Sequence, residues 1–328
     1  MRYIRSNIAS GSIRRKATVT QTRSSWLRTG AALATAAALP AVPRRALAQS
    51  TPLDVAYAGS MTSLMEGPVK AAVERRLGVA FQGRAQGSNA LANLIVSGGL
   101  RPDVFVSVTA SPIRTVLAAG KAKTAVPVAR TSMVIAYSPK SPVAAQLGAA
   151  GKRGAAPWWR VLETPGTRFG RTDPVTDPQG RNIIFVMQLA ATYYNQPDLA
   201  QRILGPDQNP SQIFEEPTVE ARLQSGELDA ASAYRLQPAA FGLPYVALPA
   251  QIDLSDDRRH TDYEKATLTL SGKTYHPEPL VYYATILNDA AHPQQAAAFI
   301  AFLAGRDGQD LFRQANYDPI GNAAPLQA

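Results

Sequence analysis

Leu53-Asp54-Val55-Ala56-Tyr57-Ala58-Gly59-Ser60-Met61-Thr62-Ser63-Leu64-Met65 contains a change of period. Residues 53–58 form a short, mainly apolar run that stops at Gly59-Ser60, after which Leu64, Met65, Val69, Ala72, Val73 and Leu77 recur at helical spacing up to Gly78. One strand is predicted to feed one helix. The unit then repeats. Residues 79–82 predict a second strand, and Ser88 is expected to cap a helix carrying Leu91, Leu94 and Ile95 before Gly98-Gly99. Residues 103–108 predict a third strand, and a helix over 111–119 stops at Gly120. Strand and helix alternate three times in under 70 residues, which predicts a parallel sheet covered by helices.

Residues 132–137 read as a further strand, and beyond them Pro139, Pro142, Gly148, Gly151, Gly154 and Pro157 mark a second unit. There a helix is predicted over about 178–194, with Ile183, Ile184, Met187, Leu189, Ala190 and Tyr193 inward, and another over 218–225. Strands follow at 229–234 and 245–248, then a stretch at 253–265 too charged for the core, a strand at 280–287 and an amphipathic helix at 293–304. About 280 residues exceed what one hydrophobic core usually serves, so two lobes are expected, with a single large α/β domain as the alternative. No Gly/Ser or Pro-rich linker separates them, which predicts that the chain crosses between lobes more than once and leaves a hinge with a cleft.

The 328 residues are 45% apolar and contain no cysteine, which excludes a disulfide scaffold and a thiolate metal site. The formal charge of +10 is misleading. Residues 1–48 hold nine of the 34 basic residues and none of the 24 acidic ones, so 25 basic and 24 acidic residues remain, a formal +1. The body therefore has no footprint for nucleic acid. Residues 30–39 are an apolar run closed by Pro40, shorter than the ~20 residues of a membrane span. Ala46-Leu47-Ala48 supplies a small-x-small cleavage pattern, so 1–48 are read as a cleaved signal peptide with Gln49 as the mature start. Arg14-Arg15 fits twin-arginine export, with Sec as the alternative; either route ends in the periplasm.

Gly59-Ser60 and Gly87-Ser88 both sit where a predicted strand opens a predicted helix. Neighbouring parallel strands bring such junctions together, so two helix N-termini, each with free backbone N–H groups and a serine hydroxyl, converge on one spot suited to an anion. The alternative is that Ser60 and Ser88 are ordinary N-caps. A third helix start lies at Asp173-Pro174-Val175-Thr176-Asp177-Pro178, with Asp177 at N-cap and Pro178 at the first helical position.

Rival chemistries lack their patterns. His260, His276 and His292 are 16 residues apart with no carboxylate at metal-ligand spacing, so they read as surface residues. There is no G-x-S-x-G elbow, no G-x-G-x-x-G after the first strand and no P-loop. Trp158-Trp159 and Tyr193-Tyr194 read as core. A metal-dependent hydrolase built on Asp173 and Asp177 is the enzyme alternative. A sensor-only or adhesion module is a third class.

Tyr57-Ala58-Gly59-Ser60-Met61-Thr62, Gly87-Ser88, Pro102-Asp103-Val104-Phe105-Val106-Ser107, Ser132-Met133-Val134-Ile135-Ala136-Tyr137, residues 169–180, Leu248-Pro249-Ala250-Gln251-Ile252-Asp253-Leu254 and residues 311–320 together resemble the molybdate/tungstate-binding proteins of ABC importers, across essentially the whole mature chain. The resemblance implies an α/β, two-lobed type II periplasmic-binding-protein fold, each lobe a mostly parallel sheet flanked by helices. Residues 49–128 and 251–328 would form one lobe and 129–250 the other. It implies a non-catalytic monomer without cofactor or bound metal, handing molybdate or tungstate to a membrane permease, with sulfate or another small oxyanion as the alternative cargo. Gly59, Ser60, Gly87 and Ser88 would bind the oxyanion from the first lobe, Asp177 and Tyr234 from the second. Two departures stand out: Ala233 replaces the glutamate that archaeal-type members carry before the tyrosine, and Arg181-Asn182 replaces the Tyr-Arg expected after Gly180. A tetrahedral, hydrogen-bonded guest is therefore the expected state.

Overall fold

Twelve strands organise residues 51–328, which the computed structural model describes; the leader and its cleavage pattern lie outside the described residues. In chain order they are β1 (Thr51–Ala58), β2 (Val79–Gln86), β3 (Val104–Ser107), β4 (Thr124–Arg130), β5 (Met133–Tyr137), β6 (Phe169–Gly170), β7 (Ala230–Tyr234), β8 (Tyr245–Ala247), β9 (Leu268–Leu270), β10 (Lys273–Tyr275), β11 (Val281–Ile286) and β12 (Leu326–Gln327). They build a six-stranded sheet, β12-β4-β11-β3-β1-β2, a four-stranded sheet, β6-β7-β5-β8, and the β9–β10 hairpin. The six-stranded and four-stranded sheets, each with its helices, make a two-lobed α/β architecture.

Period-two burial explains the layers. In β1, Leu53, Val55 and Tyr57 join the large core that holds Val73, Phe299 and Leu303, while Ala56 faces a second core with Leu91, Ile95, Ile113 and Val116. Helices thus cover both faces of the first sheet. The second sheet is dressed in the same way. Ile135 of β5 packs with Ile183, Phe185 and Met187 of the Pro178–Tyr193 helix, and Val134 with Val219 and Leu223 of the Glu216–Ser225 helix.

Among the described strands, parallel pairing is limited to β2-β1-β3 and β6-β7; the other neighbours in the two sheets are antiparallel. The expectation of mostly parallel sheets is corrected accordingly. Strand–helix–strand units keep one direction, but β11 returns to the first sheet after the second is built and enters beside β3 in the opposite sense. The chain passes from one sheet to the other between β4 and β5, and back before β11.

Other differences have local causes. The first helical run, from Gly59 to Leu77, is broken by a wider turn over Met65–Val69, with Gly67 at φ −98°, ψ −106° ahead of Pro68; a proline there removes one N–H and crowds the carbonyl four residues back. Residues 253–265 are not all outside the core, since Leu254 and Tyr263 are fully buried while the charged neighbours pair at the surface. Tyr193 points to solvent, 48% exposed, and Tyr194 takes the inner position, accepting a 3.2 Å hydrogen bond from Trp158 Nε1. No described helix is long and apolar enough to cross a membrane.

Candidate functional site

The register of β1 on β2 sets the site. Ala58 and Gln86 are Cα partners at the ends of the two strands, so Gly59 and Gly87 leave the sheet side by side. Each chain turns into a helix through nearly the same backbone angles, φ −54°, ψ 134° at Ala58 and φ −56°, ψ 131° at Gly87. The first N–H groups of each helix have no partner within it. Neither helix is capped by a side chain, which removes the reading of Ser60 and Ser88 as N-caps. Ser60 Oγ lies 3.0 Å from Tyr282 Oη, and buried Ser88 Oγ accepts from the Val108 N–H at 3.3 Å. Gly59 and Gly87 have ordinary backbone angles, and a Cβ would meet only Gln86 C at 4.0 Å from Gly59 and nothing within 4 Å from Gly87. Their missing side chains leave open space rather than relieve a clash.

The second sheet contributes two more helix starts. Asp177 is the N-cap of Pro178–Tyr193, its Oδ1 accepting from the Gln179 N–H at 2.8 Å, with Pro178 at the first position. Burial raises the Asp177 pKa, opposed by that N–H. Glu215 and Glu216 begin the Glu216–Ser225 helix. A short parallel contact joins these segments: the Arg171 N–H donates to Gln212 O at 2.8 Å and the Phe214 N–H to Arg171 O at 3.0 Å. That contact sets Thr172 and Asp173 beside residues 213–216.

All six residues singled out in the sequence, Gly59, Ser60, Gly87, Ser88, Asp177 and Tyr234, line one cavity of about 600 Å³, together with Thr172, Asp173, Glu215 and Glu216. Four helix N-termini meet there rather than three. Among the described residues no Lys, Arg or His lines it. Tyr234 is buried; its Oη accepts from Asn182 Nδ2 at 3.1 Å, and burial holds its pKa well above the usual value, so it keeps its proton. Ala233 lies in the core with Val219 and Leu223.

Thr172 and Glu216 were not foreseen. Thr172 is buried with its hydroxyl beside the Asp177 carboxyl. Glu216 accepts from Gln237 Nε2, and burial first, then the charge of Asp177, raises its pKa to about 7 against that hydrogen bond. The available signal was Glu215-Glu216-Pro217, a helix start two residues ahead of the predicted one. Asp173 Oδ1 accepts from the Val175 N–H at 2.8 Å, so both aspartates of the hydrolase alternative serve local turns. Among the described residues no group of three or more His, Cys, Asp or Glu is arranged to hold a metal ion.

Comparison with known proteins matches residues 53–318 to the family described as bacterial extracellular solute-binding protein. An uncharacterized solute-binding protein of Halobacterium salinarum is 30% identical over 267 residues, 80% of this chain and 82% of the relative. The molybdate/tungstate-binding protein WtpA of Pyrococcus abyssi is 27% identical over 292 residues, 81% of this chain and 84% of its own. Among solved structures, the periplasmic molybdate-binding protein of Azotobacter vinelandii superposes with a TM-score of 0.58 at 18% identity, covering 81% of this chain and 99% of that one.

Proposed function

The chain belongs to the bacterial extracellular solute-binding protein family, and on that premise we propose that it captures a tetrahedral oxyanion, molybdate or tungstate, outside the cytoplasm and delivers it to an ABC permease. The observation that carries the reading is the pair of uncapped helix N-termini at Gly59-Ser60 and Gly87-Ser88, side by side on one cavity with no cationic side chain. Oriented N–H groups and hydroxyls hold an oxyanion without a neutralising Lys or Arg. Ser60, Ser88, Thr172 and Tyr234 supply hydroxyls from both sheets, and the names of the WtpA relative and the Azotobacter protein support the choice of cargo.

Delivery follows from closure. The lobe of the six-stranded sheet holds one set of donors and that of the four-stranded sheet the other, so only a closed cleft engages both, and the ligand shifts the open–closed balance by its extra contacts in the closed form. The leader would direct export to the periplasm, and the protein would act as a monomer without catalysis.

Thermal melting of the mature protein with molybdate, tungstate, sulfate and phosphate at equal concentration tests the reading. A ligand at 1,000 times its Kd adds ~4 kcal/mol of stability, so molybdate and tungstate are expected to raise the melting temperature most. A largest shift from sulfate would reassign the cargo, and no response to any of the four would overturn the oxyanion reading.

A further inference from the structure

Four carboxyl groups, those of Asp173, Asp177, Glu215 and Glu216, line a cleft that on the reading above holds a doubly charged anion. Asp173 and Asp177 are occupied by backbone N–H groups of their own turns. Glu216 is held differently. Its Oε1 accepts from Gln237 Nε2, and Gln237 is itself fixed, its Oε1 accepting from Gln179 Nε2 at 2.5 Å and from the Tyr234 N–H at 2.7 Å. This relay ties the Glu216 head to the elements that carry Asp177 and Tyr234. Oε2 enters none of the described hydrogen bonds. Glu216 also lines a second cavity of about 490 Å³ that shares Gly59 and Ser60 with the first, so a proton reaches it from solvent without crossing the guest.

Resting on the oxyanion reading, we propose that Glu216 binds the guest as the neutral acid, donating a hydrogen bond from Oε2, so that capture of one dianion takes up one proton from solvent. The exchange balances: an ionised Glu216, one solvent proton and the dianion become a protonated Glu216 hydrogen-bonded to the dianion. As an ionised carboxylate the same side chain would repel the guest, and no neighbouring cation offsets that repulsion.

The surroundings set the sign. Facing Glu216 are Asp177 from the Pro178–Tyr193 helix, Asp173 from the preceding segment, Tyr234 from β7, Tyr282 from β11, and Glu215 and Glu220 from its own helix. The tyrosines are held protonated by burial. Every other charged neighbour is an acid, and an arriving dianion adds to the same field, so binding raises the Glu216 pKa above its free value of about 7. Affinity is expected to rise as pH falls from about 8.5 to 6, by up to tenfold per unit, and to level off once Glu216 is already protonated in the free protein.

Titration calorimetry of the mature protein with molybdate, at pH 8 and pH 6 in buffers of different ionisation enthalpy, counts the protons. Molybdate and sulfate are fully ionised at both values, so their own protonation contributes nothing. Wild type is expected to take up close to one proton per molybdate at pH 8 and far less at pH 6. Glu216→Gln, which keeps a neutral donor, is expected to bind with no proton uptake and a flat pH profile. Glu220→Gln is expected to keep the wild-type profile. Binding without proton uptake at pH 8 overturns this inference alone, as does a folded Glu216→Gln variant that no longer binds, or loss of the proton signal in Glu220→Gln. No binding of any oxyanion by wild type overturns the reading beneath it as well.

Discussion

Gly180 is where the fold of the second sheet and the shape of the cleft depend on one another. It is the third residue of the Pro178–Tyr193 helix, and a Cβ built there would meet Thr172 O, Asp173 C at 2.7 Å and Pro174 N at 2.7 Å. All three are backbone atoms, so no rotamer change relieves the contact. Restoring van der Waals separation of ~3.5 Å requires the 172–174 segment and the helix start to part by roughly 0.8 Å. Alanine in a helix ordinarily gains ~1 kcal/mol over glycine, while forced overpacking costs ~1–3 kcal/mol, the upper end where nothing yields. Gly180→Ala is therefore expected to lose about 2 kcal/mol net, a fall in melting temperature of roughly 4–8 °C for a chain of this size. Because Thr172 and Asp173 line the cavity, the same displacement should weaken molybdate binding on the order of tenfold, the loss of ~1.4 kcal/mol. Gly87→Ala is the control: its Cβ meets nothing within 4 Å, so it should melt close to wild type yet lose affinity by filling space the guest needs. Differential scanning calorimetry and titration calorimetry on both variants decide it. A Gly180→Ala protein with wild-type melting and affinity would refute the reasoning.

Ser60→Ala with Ser88→Ala should lower molybdate affinity about a hundredfold or more, at ~1.5–3 kcal/mol per hydrogen bond to a charged group, and should also lower ligand-free melting, because the buried Val108 N–H and Tyr282 hydroxyl lose their partners; equal affinity by titration would show that neither touches the guest. Asp229→Asn should cost about 3 kcal/mol in denaturant unfolding, since the 2%-exposed carboxylate accepts from the Arg168 N–H at 2.8 Å, Arg168 Nε at 2.9 Å and Ser141 Oγ at 2.9 Å. Those Arg168 bonds depress the Asp229 pKa, so its contribution is present above the ordinary Asp value of ~3.9 and lost as pH falls through the lower folded value. Asp229→Asn should therefore narrow its deficit in strong acid. Glu216 and Glu220, raised to about 7, and Asp253, raised to about 6, act in the opposite sense. The folded state holds more protons there than the unfolded one, so stability falls as pH climbs from ~4.5 to ~7. Ligand-free protein should melt higher at pH 5.5 than at pH 8, and the reverse order would contradict the burial of these carboxyls.

Periodicity carries furthest where the chain is local. The strand over residues 53–58, the helix starting at Pro178 and the helix over 293–304 are legible because each keeps a single period along its length, whereas the wider turn at Met65–Val69 inside the first helical run is not. β4 escaped because Pro127 interrupts Thr124–Arg130, and a proline argues against a strand that must be paired on both sides. The sheet accommodates it with a register shift between Tyr282 and Tyr283, where Tyr283 partners Pro127. Strand direction was beyond local reading for another reason: whether β11 lies parallel or antiparallel to β3 depends on where the chain has been over the 170 or so residues between them. Charge also misled at 253–265, since Leu254 and Tyr263 are core residues inside a charged stretch.

The site divides along the same line. Gly59-Ser60 and Gly87-Ser88 are legible because each is a strand end and helix start within four residues, and parallel pairing then brings them together whatever the rest of the chain does. Asp177 is legible from the proline that follows it. Tyr234 is an ordinary strand residue by pattern, and only the family resemblance singled it out. Glu216 reaches the cavity through the contact of Arg171 with Ile213, residues 42 apart in sequence, so no window of the sequence contains both halves of its environment. Its chemistry was hidden too, because acids in the first turn of a helix ordinarily complement the helix dipole from solvent. Here the helix start faces inward, toward a cavity whose two aspartates are engaged by backbone donors, whose Glu215 is exposed and whose Tyr234 is neutral. In a body of formal charge +1 that aims N–H groups rather than cations at its guest, a carboxyl held in the cleft by Gln237, with no backbone donor of its own, repels the anion unless it carries its proton. The same residue that dipole logic would leave in solvent then links oxyanion capture to pH.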